Sequence, residues 1–231
     1  MQKNTNKSLW RTYLFIVIFS LLAAGTFLSL KWQDTKAEAI SQQSYTNKLI
    51  ANSILNYLDK YEVFLNVVGL QLLAQREGGN QLEANRLLNK IMQNHDELAG
   101  LGLANTEGQF ILTSQSLEYQ KLINLKDKPE TKDTFLDALN SDQLVMGRTY
   151  FMPNVQQWVV PLRIAIRNDF GAVMGVMTVG LKFDHLEKEW LGSPLPKKLR
   201  LLVLREDLYS QFATYFSPEN YPEQMENPLL E

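Results

Sequence analysis

His95 and His185 are the only imidazoles in the chain and cysteine is absent, so little of the usual catalytic chemistry is on offer. The two histidines stand in separate segments, and neither has a second ligand at metal-binding spacing. His95-Asp96-Glu97 reads as a solvated helix end. Ser114, Ser116 and Ser141 lack the Gly-x-Ser-x-Gly context of a hydrolase elbow. Gly78-Gly79 lacks the Lys-Ser/Thr that completes a phosphate loop. With no nucleophile, base pair or metal set, the chain is expected not to be an enzyme in itself and to need neither metal nor cofactor. What remains is recognition chemistry. Lys132, Phe135, Arg148, Tyr150 and Trp158 combine fixed cations with aromatic walls, the ingredients of a pocket for a small polar or anionic ligand.

The elements that must position these residues begin with a membrane-sized run. Tyr13 to Leu30 carries no charge over 18 residues. At about 1.5 Å per residue it covers roughly 27 Å, close to the hydrocarbon thickness of a bilayer. Lys3, Lys7 and Arg11 precede it, whereas Lys31 and Lys36 beyond it alternate with Asp34 and Glu38, which places the N-terminus in the cytoplasm and the rest outside. A cleaved signal would need a shorter apolar core, and Ala37-Glu38-Ala39 lies well past the run. Trp10, Tyr13 and Trp32 sit where amphipathic rings favour the headgroup level.

Composition bounds the remainder. Setting aside Lys3, Lys7, Arg11 and Lys31 leaves 19 of the 23 Lys and Arg against 25 Asp and Glu, which argues against a nucleic-acid partner. With 45% apolar residues the chain can bury a core. An exported domain without a disulfide fits a bacterial periplasm, and with it the bacterial inner membrane as the anchor's location.

From Trp32 onward, Ile40, Ile50, Ile54, Leu58, Tyr61, Leu65, Val68 and Leu72 settle into steps of three and four, the stripe of a long helix that continues the membrane helix. Gly78-Gly79 ends it as a left-handed cap, and Gln81 to His95 reads as a second helix. The period then changes. Leu98 to Ala104 and Gln109 to Ser114 form a hairpin about Asn105-Thr106-Glu107-Gly108. Ser116 to Lys132 is polar and irregular, and Asp133 to Leu139 is a short helix. Strands follow at Leu144–Phe151, Gln157–Arg167 and Ala172–Lys182, the last two joined by Asn168-Asp169-Phe170-Gly171. The glycines of residues 175–181 suggest close approach of a backbone or a ligand. The layout is α+β, a five-stranded antiparallel sheet with helices on one side. A helix at Asp184–Leu191 leads into the linker Gly192–Pro196, and Leu199–Leu204 opens a further module that reads as cut short.

Three segments carry a resemblance: LAGLGLANTEGQFILTS (98–114), KPETKDTFLDALNSDQLVMGRTYF (128–151) and WVVPLRIAIRNDFGAVMGVMTVGLKFDHL (158–186). With the preceding membrane and stalk helices they resemble the double Cache sensor domains of bacterial chemoreceptors, histidine kinases and diguanylate cyclases, over about residues 33–190. The tail from Leu201 resembles the opening of the membrane-proximal half of such sensors. The resemblance implies a PAS-like sheet and a ligand-binding sensory role. Where many members place Arg-x-Tyr-Phe, Lys132-Asp133-Thr134-Phe135 puts a point charge in place of a bidentate fork. The late aspartate that holds an α-amino group has no equivalent in VMGVMTVGLKF. Ordinary amino-acid sensing is therefore not expected. GGDEF, EAL, HAMP and kinase motifs are absent from these residues, so an output domain such as a diguanylate cyclase is expected elsewhere.

The expected organisation is a cytoplasmic segment 1–12, a membrane helix 13–31, a stalk helix and second helix 32–96, a sensor sheet 97–191, and a linker with an incomplete membrane-proximal module 192–231. The expected function is a membrane-anchored extracytoplasmic sensor, homodimeric through the stalk. The rival is an output-less membrane-anchored domain that binds another protein.

Overall fold

The structure is a computed structural model that describes residues 3–115, 117, 124–153, 155–191 and 200–214. It falls into two units, residues 1–52 and 53–231.

The first unit is helical, part of α1 (Lys3–Glu77). Its side chains from Trp10 to Leu49 are exposed almost throughout. Within Trp10–Glu77 lies one window long and apolar enough to cross a membrane, none of it buried. Trp10 and Tyr13 meet edge to face at 6.0 Å. The Thr26 hydroxyl donates back to the Leu22 and Ala23 carbonyls, which satisfies it without water.

The second unit is built on an antiparallel sheet. Its elements are the end of α1, then α2 (Gln81–Asn94), β1 (Leu98–Ala104), β2 (Phe110–Thr113), α3 (Pro129–Asn140), β3 (Val145–Met146), β4 (Tyr150–Met152), β5 (Gln157–Arg167), β6 (Val173–Lys182), α4 (Phe183–Leu191), β7 (Leu202–Leu204) and β8 (Ser210–Ala213). The sheet order is β2-β1-β6-β5-β3, with β4 also on β5 and β7-β8 a separate hairpin. Five sheet positions were expected and five are occupied. The expected strand Leu144–Phe151 is broken at residues 147–149 into β3 and β4, which share one flank of β5.

Alternation sorts the strands into two faces. Val160, Leu162, Ile164 and Ile166 of β5 join Met177, Val179 and Leu181 of β6 and Leu101 and Leu103 of β1 in one apolar layer. Against it pack Tyr57, Tyr61, Leu65, Val68 and Leu72, spaced four, four, three and four along α1, with Leu88 of α2 and Leu186 and Trp190 of α4. Of the predicted stripe, Ile54 and Leu58 are half-buried here. Helix α3 is on the other face, where Phe135 and Ala138 pack on Ala104, Phe110 and Val176. Helices therefore flank the sheet on both sides and not on one. The reason is the Gly-, Ala- and Thr-rich second face of the strands, which leaves room for an amphipathic turn.

The expected turns form. Gly79 and Gly108 adopt φ of 78° and 87°, values that a side chain would strain. Asn105 Oδ1 accepts from the Glu107 and Gln109 amides, closing the first hairpin. Asn168 Oδ1 does the same for Phe170 and Ala172 in the turn between β5 and β6. The linker Gly192–Pro196, the tail beyond Thr214, Ser116 and residues 118–123 lie outside the described residues.

Candidate functional site

The five residues chosen from sequence are not brought to one cavity. Lys132 is exposed on α3. Phe135 is fully buried in the packing beneath α3. Tyr150 of β4 is half-buried on that same face of the sheet, against Ala99, Leu117, Met152 and Val159. Trp158 of β5 packs into the opposite, α1-facing layer and meets Phe151 at 5.7 Å. Arg148, 56% exposed, pairs with Asp207 at 2.9 Å and stands over the Tyr209 ring at 5.0 Å.

A different polar group sits inside the α3-facing side. Cross-strand register aligns Arg163 of β5 with Thr178 of β6, Thr178 with Gly102 of β1, and Gly102 with Thr113 of β2. Paired residues in an antiparallel sheet point to the same face, so these four form one row across four strands. Arg163 is 1% exposed, Thr178 7% and Thr113 4%. Among the described residues, Arg163 Nε, Thr178 Oγ1 and Thr113 Oγ1 each lack a hydrogen-bond partner. Buried polar atoms are nearly always bonded, and three exceptions in one row around a glycine are unusual.

Arg163 is the costliest member. Its Nη1 donates to Thr134 Oγ1 of α3 at 2.5 Å. Among the described residues no carboxylate lies within ion-pair distance of it. Burial lowers its pKa from 12.5 to about 10, and the Tyr150 hydroxyl pulls the other way. An isolated buried charge costs several kcal/mol by order of magnitude unless something compensates it. Thr134 also lines an open cleft of about 580 Å³ between α3, residues 148–149 and the β7–β8 hairpin, bordered by Asp133, Asp137, Arg148, Arg205 and Glu206. The guanidinium thus stands one side chain behind an open cleft.

The glycines of β6 divide in role. A Cβ on Gly175 would come within 2.7 Å of the Ala104 carbonyl, so that glycine admits a neighbouring backbone. A Cβ on Gly180 would make ordinary contacts at 3.6–3.8 Å with Ala99, Met152 and Val159. The sequence reading missed Arg163, Thr178 and Thr113. The signal was present: Arg163 interrupts the apolar run Val159–Ile166 of β5, where a charge has no exposed position to occupy.

No family model matches the sequence, and no curated protein matches it. Solved structures do resemble it. The sensory domain of the Campylobacter jejuni chemoreceptor Tlp3 (CcmL), with isoleucine bound, superposes with a TM-score of 0.57 at 16% identity over 84% of this chain and 75% of that one. The ligand-binding domain of the Pseudomonas aeruginosa amino-acid chemoreceptor PctC in complex with GABA gives 0.54 at 15% over 72% of each. The sensor domain of the V. cholerae histidine kinase DctB gives 0.52 at 14% over 80% and 76%. The chain has the fold of these Cache-type sensory domains.

Proposed function

We propose that the chain is a membrane-anchored sensory module whose Arg163 row binds a small acid, non-catalytic in itself. The observation that carries this reading is the buried Arg163 guanidinium, whose Nε has no partner among the described residues, in line with two threonine hydroxyls of which the same is true. A carboxylate would supply the missing counter-charge on the Nε side, while Thr178 and Thr113 would serve further oxygens. Of the residues expected from the sequence, Phe135 and Tyr150 lie on the same side of the sheet as this row. Arg148 belongs to the neighbouring cleft, and Lys132 and Trp158 have no part in it. The solved relatives include complexes with isoleucine and GABA. Here no Asp or Glu is buried among the described residues, so an α-ammonium held beside Arg163 would meet a like charge without a buried carboxylate to offset it, the acids of the adjoining cleft being exposed. The expected ligand is an organic acid without an amino group.

In this reading residues 1–12 are cytoplasmic, 13–31 span the bacterial inner membrane, 32–96 form stalk and second helix, and 97–191 sense in the periplasm. The charge asymmetry about the apolar run supports the orientation. Two copies pair through the stalk, and ligand shifts the balance between two packings of the pair.

A thermal-shift panel on the full chain in nanodiscs tests the site, with carboxylic acids, isoleucine and GABA as probes. At 100 times its dissociation constant a ligand adds about 2.7 kcal/mol. Acids should raise the melting temperature, and Arg163→Met should abolish the rise. A panel with no active acid, or an unchanged shift in the variant, refutes the reading.

A further inference from the structure

We infer that the β7–β8 hairpin reads the occupancy of the Arg163 site through the segment Met146–Thr149, an inference that rests on the ligand reading of that row. Every residue of the segment is held by the hairpin. The Met146 carbonyl accepts from Arg205 Nη1. The Gly147 carbonyl accepts from Gln211 Nε2 at 3.0 Å. Arg148 donates to Asp207 Oδ2 through Nη2 at 2.9 Å and Nε at 3.3 Å. The Thr149 hydroxyl donates to the Gln211 carbonyl and accepts from its Nε2, both at 3.0 Å. The Thr149 carbonyl accepts from the Tyr209 hydroxyl at 2.9 Å.

The segment's other side abuts the site. The Gly147 amide donates to the Pro161 carbonyl at 2.7 Å. A Cβ on Gly147 would come within 2.6 Å of Pro161 Cγ, 2.8 Å of Arg163 Nη1 and 3.1 Å of Thr134 Oγ1. No slack separates the guanidinium from the backbone that the hairpin grips. Gln211 is fully buried, so its bonds to Gly147 and Thr149 have no water to replace them if the segment moves. A carboxylate that draws the guanidinium off Thr134 shifts the wedge against Gly147, and the hairpin keeps its hydrogen bonds only by moving with it. Close-packed interfaces of this kind answer small displacements by switching between discrete arrangements. By reciprocity, loosening the hairpin changes acid affinity.

Hydrogen exchange on the full chain in nanodiscs tests the link without a ligand. Arg163→Met removes the guanidinium wedged against Gly147, and Thr134→Val releases it by deleting only the hydroxyl that holds Nη1. Amides of residues 202–213 should exchange faster by about tenfold in each, with α2 amides at wild-type rates. If Arg163→Met does not fold, Thr134→Val is sufficient by itself to decide between the two outcomes. Unmoved hairpin amides, or an equal change in α2, overturn the inference. An acid shift that Arg163→Met abolishes, with hairpin exchange unmoved, keeps the site and removes the hairpin as its reader.

Discussion

Among the described residues Arg163 is held by the neutral Thr134 hydroxyl, and it is destabilised by its own burial, so it works against the fold that holds it. Its pKa is depressed below the unfolded value of 12.5, to about 10, because burial disfavours the cation. The sign is that of a charged group which costs stability at every pH below the folded value and costs less as pH rises through it. Replacing it with an apolar side chain of similar length should therefore stabilise the ligand-free protein by about 1–4 kcal/mol, the scale seen when buried charges are exchanged for packed apolar groups, and so raise its melting temperature. Calorimetry of Arg163→Met decides this, and a lower melting temperature would show that the guanidinium is a structural brace. Single side chains are also where the sequence misled most. Arg148 and Trp158 have the right chemistry, but a strand broken at residues 147–149 sends one to the surface, and a single step of alternation sends the other to the far face. Side-chain direction depends on register, which one chain's letters specify weakly.

Helices and strands were more legible, because periodicity reports which face is buried. The three-and-four spacing of α1 from Tyr61 to Leu72 and the alternation of β5 predicted the main apolar layer correctly. The side taken by α3 did not follow, since a short amphipathic helix packs as well on either face of a sheet whose second face is Gly, Ala and Thr. Leu65, fully buried, anchors α1 to the sheet. Leu65→Ala should cost about 2–5 kcal/mol in chemical denaturation, and a loss under about 1 kcal/mol would mean that the helix is not integral to the core. A second tie joins α1 to the start of β1. Tyr61 donates to Glu97 Oε1 at 3.2 Å, and His95 Nδ1 lies 2.8 Å from the same oxygen. Burial pushes the Glu97 carboxyl up, but these contacts, its own backbone and the His95 charge bring it below its ordinary 4.5. Burial likewise raises the Tyr57 hydroxyl to about 12. A depressed carboxylate contributes stability that is full above the unfolded pKa and is lost as pH falls through the folded one. Melting temperature should thus drop on acidification below about 4.5 in wild type and less in Glu97→Gln. Parallel acid profiles would remove Glu97 from the account.

For the molecule as a whole, the absence of cysteine becomes an experimental convenience. Single cysteines placed from Ile40 to Leu58 should crosslink with a helical period if two stalks pair, and a flat profile would mean that they do not. Alkaline phosphatase fused after Leu204 should be active if the C-terminal unit is exported, whereas an inactive fusion would reverse the orientation. The contact of Trp190 with Phe212 has an optical consequence as well. The indole is fully buried at 5.2 Å from a ring on β8, while Trp10 and Trp32 lie on the exposed part of α1 and Trp158 is half-buried. Trp190 is therefore an intrinsic fluorophore seated on the hairpin. Any event that lifts β8 from α4 should red-shift and dim its emission, so the docked and undocked states of an unlabelled protein differ in colour.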